Sequence, residues 1–196
     1  MNEQVFAFRE NLNRKLKPSR YEHSLSVSYT CIALAMRYGG SIDQAELAGL
    51  LHDCAKQYDD LTIIKKCEKH QIEVTEAEHL APEVLHAKYG AWMLENRFDI
   101  HDEAIKSAIA CHTTGKPGME LLDKILYVAD FIEPRRDKAP HLDQIRKLAF
   151  LDLDEALYRI LEGTIAYLKE EGRFTNPLTL VTYDYYKDRR SKMDKI

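Results

Sequence analysis

No stretch of the 196-residue chain approaches the run of about 20 apolar residues that a membrane-spanning helix needs, so a helical membrane protein is excluded. The segment Met1 to Glu10 carries charges where a secretion signal needs an unbroken apolar core, and the expectation is therefore a cytoplasmic protein. Net positive charge is lacking as well. Acidic residues number 32 against 28 basic ones, a balance of −4, which leaves no overall field to hold a nucleic-acid backbone. Any recognition of phosphate must be local. Cys31, Cys54, Cys67 and Cys111 form no Cys-x-x-Cys pair and are too few to staple a chain of this length. They read as reduced thiols acting as small hydrophobes, although Cys54 and Cys111 stand beside candidate ligands.

Internal repeats, low-complexity tracts and long Gly, Ser or Pro linkers are also missing. What remains is ordinary globular composition, 45% hydrophobic and 31% charged, on a length that suits one domain over residues 1–196. Apolar residues recur at three- and four-residue spacing almost throughout, which predicts helices joined by short turns and no strand. Val5, Phe8, Leu12 and Leu16 share the face of a first helix that must stop near Pro18. Ser19 with Glu22, and Ser41 with Gln44, have the form of capping boxes opening a second and a third helix, the second ending at Gly39. His23, Val27, Thr30 and Leu34 share one face of the second, and His52 and Asp53 fall at the C-terminal end of the third. Asp60 is expected to open a short helix through Lys69, Pro82 to begin one carrying His86, Tyr89 and Met93, and Asp102 to cap one carrying Ile105, Ile109 and His112. The Gly115 to Gly118 turn breaks the last of these. Leu121 to Ile132 then carries Asp130, Pro134 follows, and a long helix spans about Leu153 to Glu171. The brief alternation Val181, Tyr183, Tyr185 is read as helix, because Asn176-Pro177 offers a helix start. The fold expected is an all-α bundle.

His23, the His52-Asp53 pair, His86, His112 and Asp130 lie on five different predicted helices, each on an otherwise apolar face. A single histidine in such a place is more often a hydrogen-bonded core residue than a ligand. Jointly, four imidazoles and two carboxylates in one core are costly to bury without a counter-charge, whereas divalent cations stabilise the carboxylates and hold the imidazoles neutral. Water-activating metal sites in phosphate chemistry use this donor set, with one carboxylate able to bridge two ions. His70, His79, His101 and His141 read as surface residues, and Trp92 as core. Tyr183, Tyr185 and Tyr186 with the following Lys187, Arg189 and Arg190 read as helix packing and a charged tail rather than as a base-stacking site.

A phosphate substrate would need cations around the metals, and Arg20, Lys56, Arg135 and Arg136 stand close to ligands in sequence. For Arg136 a solvated surface position weighs about equally. Thr113, Thr114 and Gly115 follow His112 directly, and small residues there would let backbone N–H groups approach a phosphate; a helix-ending turn explains them nearly as well.

The order His23, His52-Asp53, Asp130 resembles the H…HD…D pattern of the HD-domain phosphohydrolase superfamily, and His86 and His112 sharpen the likeness to members that bind two metals. It spans Ser19 to Pro134, with the C-terminal helices expected to pack on that core. The words Arg20-Tyr21-Glu22-His23-Ser24, His52-Asp53-Cys54-Ala55-Lys56, His112-Thr113-Thr114-Gly115 and Ala129-Asp130-Phe131-Ile132-Glu133-Pro134-Arg135 resemble the YqeK-type branch of symmetrical bis(5'-nucleosyl)-tetraphosphatases. The resemblance implies an HD helical bundle and a pair of divalent metals, usually iron, with manganese or zinc also suited to the donors. It also implies hydrolysis of diadenosine tetraphosphate to two ADP, with a hydroxide shared by the ions as nucleophile. Carried over by position, His23, His52, Asp53 and Asp130 would hold one metal, His86 and His112 the other, and Asp53 would bridge; Asp53 and Lys56 would be the catalytic residues.

The rival enzymatic reading is another HD activity, on nucleoside monophosphates or guanosine tetraphosphate. The nonenzymatic one is a nucleotide-binding module with structural metals, which are usually closed four-ligand shells rich in cysteine. The substrate expected is a dinucleoside polyphosphate, with no nucleic-acid or membrane partner; a homodimer is compatible with the sequence.

Overall fold

In the computed structural model, which describes residues 3–193, the described residues form eleven α-helices and two short 3-10 helices, and none forms a strand. The first, α1 (Glu3–Lys15), buries Val5 and Leu12 and ends before Pro18. The second, α2 (Pro18–Tyr38), starts two residues earlier than expected and without a capping box at Ser19. Lys17 is the N-cap, extended at ψ 145°, and contributes no side-chain bond. The reason is local: proline fixes φ at a helical value, lacks the N–H that a first turn leaves unpaired, and drives the residue before it into an extended conformation. Gly39, at φ 72°, ends the helix in the left-handed conformation as expected.

In α3 (Ile42–Leu51) only half of the expected capping box forms. Ser41 Oγ accepts the Gln44 N–H at 3.3 Å, but the Gln44 side-chain amide donates to Asp102, the N-cap of the helix Glu103–Cys111, at 2.8 Å. The side chain thus joins two helices instead of closing one. Next come α4 (Asp60–Lys69), a short α5 (Glu76–Leu80), α6 (Leu85–Arg97) and α7 (Glu103–Cys111). The pattern reading passed over α5, which is held by a complete capping box between Thr75 and Glu78. Pro82 opens a 3-10 turn, Pro82–Val84, that leads into α6. After α8 (Leu121–Ile132) come α9 (Leu142–Ala149), α10 (Leu153–Glu170) and α11 (Pro177–Met193).

The central layer is α2, α3, α7 and α8, packed on one another, with α6 outside α7 and α10 outside α8; α4 lies on α6, while α9 and α11 lie on α10. Leu34, Leu50, Leu51, Leu94, Ile105, Ile109, Ile125 and Leu126 are wholly or almost wholly buried at these contacts. Each is worth about 1.5–3 kcal/mol of apolar burial. The backbones of α2 and α3 approach each other closely at Gly49, where an added Cβ would stand 2.6 Å from Ser28 Cα. Ser28 Oγ donates to Glu46 O at 2.9 Å across the same contact. This near-backbone contact sets the separation of the helices carrying His23 and His52. Tyr186 on α11 is buried, and its hydroxyl accepts the Met119 N–H at 3.0 Å, fastening the C-terminal helix to the turn before α8.

Candidate metal centre

The six candidate ligands converge where the ends of α3 and α7 meet the sides of α2, α6 and α8. His52 and His112 are the residues that end α3 and α7, and His86 lies in the first turn of α6. Each donates Nδ1–H to the carbonyl three residues earlier: His52 to Gly49 at 2.7 Å, His86 to Glu83 at 2.5 Å and His112 to Ile109 at 2.7 Å. Those bonds fix the tautomer, so each Nε2 turns a lone pair inward. The ring centroids stand 5.0 Å apart for His86 and His112, 5.1 Å for His52 and His112, and 5.3 Å for His23 and His52.

Asp53, just beyond α3, is buried between them, and its two oxygens face different histidines. Oδ1 lies 3.1 Å from His86 Nε2 and 3.9 Å from His112 Nε2. Oδ2 lies 3.5 Å from His52 Nε2, 3.8 Å from His23 Nε2 and 2.7 Å from Arg20 Nη1. Asp130, in the last turns of α8, puts Oδ1 3.1 Å from His23 Nε2 and 4.0 Å from His52 Nε2. Ligand atoms of His23, His52 and Asp130 fall within 4.8 Å of one another, and so do those of His52, Asp53 and His112. His52 therefore borders both groups.

This arrangement is poor as a hydrogen-bond network and good as a cation site. The Nε2 atoms of His23 and His52 are buried with no aligned hydrogen-bond partner. Those of His86 and His112, both lone-pair bearing with these tautomers, face each other at 3.1 Å. Lone pairs aimed at each other and at carboxylate oxygens repel unless a positive ion lies among them. Protonation is set accordingly. Burial, reinforced by His86 and His52, pushes His112 down to about 3, so it is neutral at pH 7. Burial works to raise Asp53 and Asp130, but the imidazoles outweigh it and hold both carboxyls well below the usual carboxylate range. Burial also opposes a charge on His52, which Asp53 overcomes, leaving that imidazole above its ordinary value. Anionic carboxylates beside imidazoles form the donor set of a hard to borderline divalent metal.

An HD domain model matches residues 20–135, which contain all six of these side chains. The chain belongs to the HD domain family. The match covers more than half of its length, and relatives extend the likeness over nearly all of it. A protein of Bacillus subtilis (strain 168) named symmetrical bis(5'-nucleosyl)-tetraphosphatase is 36% identical over 174 residues, 89% of this chain and 92% of its own. One of the same name from Staphylococcus aureus (strain NCTC 8325 / PS 47) is 36% identical over 184 residues, 92% of this chain and 94% of its own. A solved structure from Clostridium acetobutylicum, described as a predicted HD superfamily hydrolase involved in NAD metabolism, superposes with a TM-score of 0.90 at 36% identity. It covers 93% of this chain and 96% of that one.

Around this HD centre, the four cations read from the sequence have different surroundings. Arg20 reaches Asp53 with its side chain 42% exposed to the mouth of the site. That mouth is a cavity of about 310 Å³ bordered by Arg20, His23, Glu133, Arg136 and Lys138. Arg136 is half-buried and donates to Asp130 O at 2.8 and 3.1 Å, with Nη2 3.2 Å from Asp130 Oδ1. Lys56 donates to Glu83 O at 3.4 Å, the carbonyl that orients His86. Arg135 turns outward onto Glu22 at 2.5 Å and is the most exposed of the four.

Thr114 and Gly115 are buried, and the Gly115 N–H is spent on Cys111 O at 2.8 Å. At φ 67°, with an added Cβ falling 2.7 Å from Thr182 Cγ2, Gly115 is accounted for by the end of α7 and the approach of α11. Its N–H is not available to a phosphate. Thr113 is half-buried. Trp92 is half-buried too, with His70 stacked on it at 4.0 Å, so His70 is a packed residue while His79, His101 and His141 are exposed.

The residue that sequence reasoning missed is Glu133. It is buried, its Oε1 accepts from His23 Nδ1 at 3.2 Å and its Oε2 accepts the Arg135 N–H at 2.7 Å. Burial tends to raise its pKa, yet Ser26, the Arg135 N–H and His23 prevail and hold it below the ordinary value. Its one sequence signal is an acid placed directly between an apolar helix end and Pro134. No helix is long and apolar enough to cross a membrane among the described residues.

Proposed function

We propose that this HD domain cleaves diadenosine tetraphosphate in the middle, giving two ADP. The observation that carries the reading is Asp53, whose two carboxylate oxygens face two sets of histidines, two of them with buried Nε2 atoms that have no aligned hydrogen-bond partner. The names of the Bacillus and Staphylococcus relatives supply the substrate. On the positions matched, His23, His52, Asp53 and Asp130 would hold one metal, and His86 and His112 a second shared through Asp53. When bound, the metals supply Lewis acidity that brings water toward ionisation near neutral pH and offsets phosphate charge. Iron is the occupant we favour, and the donor atoms also suit manganese and zinc.

The protein's own part is placement and charge. Hydrogen bonds to the Gly49, Glu83 and Ile109 carbonyls hold three imidazoles with Nε2 aimed inward. Arg20 and Arg136, both reaching metal-centre carboxylates from the rim of the mouth, meet the anionic chain of an incoming polyphosphate. Lys56, anchored at the His86 side, adds a third cation. With the inner phosphates among these charges, water attacks one inner phosphorus, the bridging P–O bond on its far side breaks, and ADP departs. The departing charge is spread over a diphosphate, so a dedicated general acid is less needed than for an alcohol.

A single turnover in oxygen-18 water tests this: one label in one of the two ADP molecules, and no AMP, is expected. AMP with ATP would mean asymmetric cleavage, and phosphate release from a nucleoside monophosphate in place of this reaction would mean a different HD activity.

A further inference from the structure

We propose that a groove between α8, α9 and α10 seats one nucleoside of the substrate, with Arg136 at the join between nucleoside and phosphates. This inference rests on the dinucleoside polyphosphate reading. The groove has a volume of about 860 Å³, within the usual range for small-molecule sites, and includes Phe131, Leu148 and Tyr167 among its apolar walls. Arg136 and Lys138 border both this groove and the mouth of the metal centre, so the two spaces meet at a cationic edge. Arg136 shows the join in its contacts: its guanidinium bonds Asp130 on one side and lies 5.8 Å over the Phe131 ring on the other. A polyphosphate leaving the metals across that edge brings its nucleoside onto an apolar floor. Tyr167, 45% exposed at the groove, offers a flat face on which a base can stack.

A second observation comes from α10 itself. Gly163 stands in the interior of this 18-residue helix and lines the groove. Glycine is unfavourable in a helix interior relative to alanine, and a close neighbour that leaves no room for a Cβ can explain one. No such neighbour stands here. A Cβ built on Gly163 meets nothing within 4 Å. Packing therefore does not require the missing side chain, and its effect is to leave the groove wall open. A wall kept open at the expense of helix stability is what a bound planar group requires.

Calorimetric titration of the metal-loaded protein with ADP and with pyrophosphate tests the assignment without turnover. Gly163→Trp is expected to weaken ADP at least tenfold, to leave pyrophosphate within twofold, and to retain the bound metal. Gly163→Ala is expected to raise Tm and to weaken ADP severalfold, less than Gly163→Trp does, with pyrophosphate unchanged. Unchanged ADP affinity in Gly163→Trp, or equal losses for ADP and pyrophosphate, would overturn the proposal. Should Gly163→Trp fail to fold, Ala166→Trp on the same wall takes its place with the same readouts. A parent protein that leaves diadenosine tetraphosphate uncut while Gly163→Trp selectively loses ADP would refute the reaction and keep the groove.

Discussion

Glu133→Gln is expected to separate the two metals. In the native side chain both oxygens are in use, Oε1 on His23 and Oε2 on the Arg135 N–H. Glutamine keeps the shape but has one acceptor, and its amide nitrogen must then face one of two N–H groups in a buried place. One bond is lost, and either His23 turns or the Arg135 backbone shifts. Carboxylate partners that orient a ligating histidine and raise its donor strength commonly contribute about 10–100-fold in metal affinity, or roughly 1.4–2.7 kcal/mol. The loss should fall on the metal held by His23. His86 and His112 take their orientation from the carbonyls of Glu83 and Ile109, which the substitution leaves alone. Anaerobically purified protein, equilibrated against rising chelator and assayed for metal per chain, should show the parent falling from two to none over a narrow range. The variant should hold one metal across a window about 10–100-fold wide in free metal. Loss of both metals together at the parental chelator concentration, or retention of both throughout, would refute the coupling of Glu133 to one site through His23.

Three other outcomes follow from the same structure. Asp53→Ala should lose both metal and turnover, since it removes the side chain common to both histidine sets, whereas Lys56→Ala should keep the metal and lose rate; elemental analysis beside kcat separates them, and Asp53→Ala with full metal would refute the bridging assignment. Gly49→Ala places a Cβ 2.6 Å from Ser28 Cα and should destabilise by about 1–3 kcal/mol, lowering Tm by roughly 2–12 °C in thermal melts. Glu78, the capping-box acid on α5 that pairs with Lys88 at 2.7 Å, is held below its ordinary 4.5. Burial works to raise it, and Lys88 and Thr75 outweigh that. Its folded pKa is depressed, so its stabilisation is present above 4.5 and fades as pH falls through the folded value. Denaturant melts should accordingly show Glu78→Gln less stable than the parent at pH 7 and converging on it at low pH; a constant gap would refute the linkage.

The helices were legible because their signals are local. Asp102, Gly39 and the apolar spacing of Leu121 to Ile132 each act within a turn or two of themselves, and the structure has those elements at nearly those bounds. Ser19 misled because two local rules compete there, and the proline rule prevails: a residue suited to capping follows one that itself starts helices. Gln44 misled for a different reason, since its partner Asp102 is 58 residues away and no window contains both. The same distance problem governs the site. Four histidines on apolar faces could be seen one at a time, but that Arg136 rather than Arg135 turns to Asp130 depends on how the chain leaves α8. The groove beside it is formed by α8, α9 and α10 together, and only Gly163 leaves a trace of it in the sequence.

Glu133 was invisible for a reason that explains the site's design. A metal-binding imidazole needs its other nitrogen anchored, or the ring turns and the tautomer is not fixed. At a helix end this anchor is free of charge and close at hand, because the last carbonyls have no intrahelical partner. His52 and His112, each ending its helix, use the carbonyl three residues back, and His86 does the same from the 3-10 turn that leads into α6. Their orientation is written in the segment that carries them. His23 is different: it sits inside α2, away from the helix end, and its anchor is another side chain, Glu133, 110 residues away. For this ligand the acceptor comes from elsewhere in the chain. That buried carboxylate ties the position of α2 to the end of α8, and with it the geometry of the two histidines facing Asp53 Oδ2 to the tertiary packing.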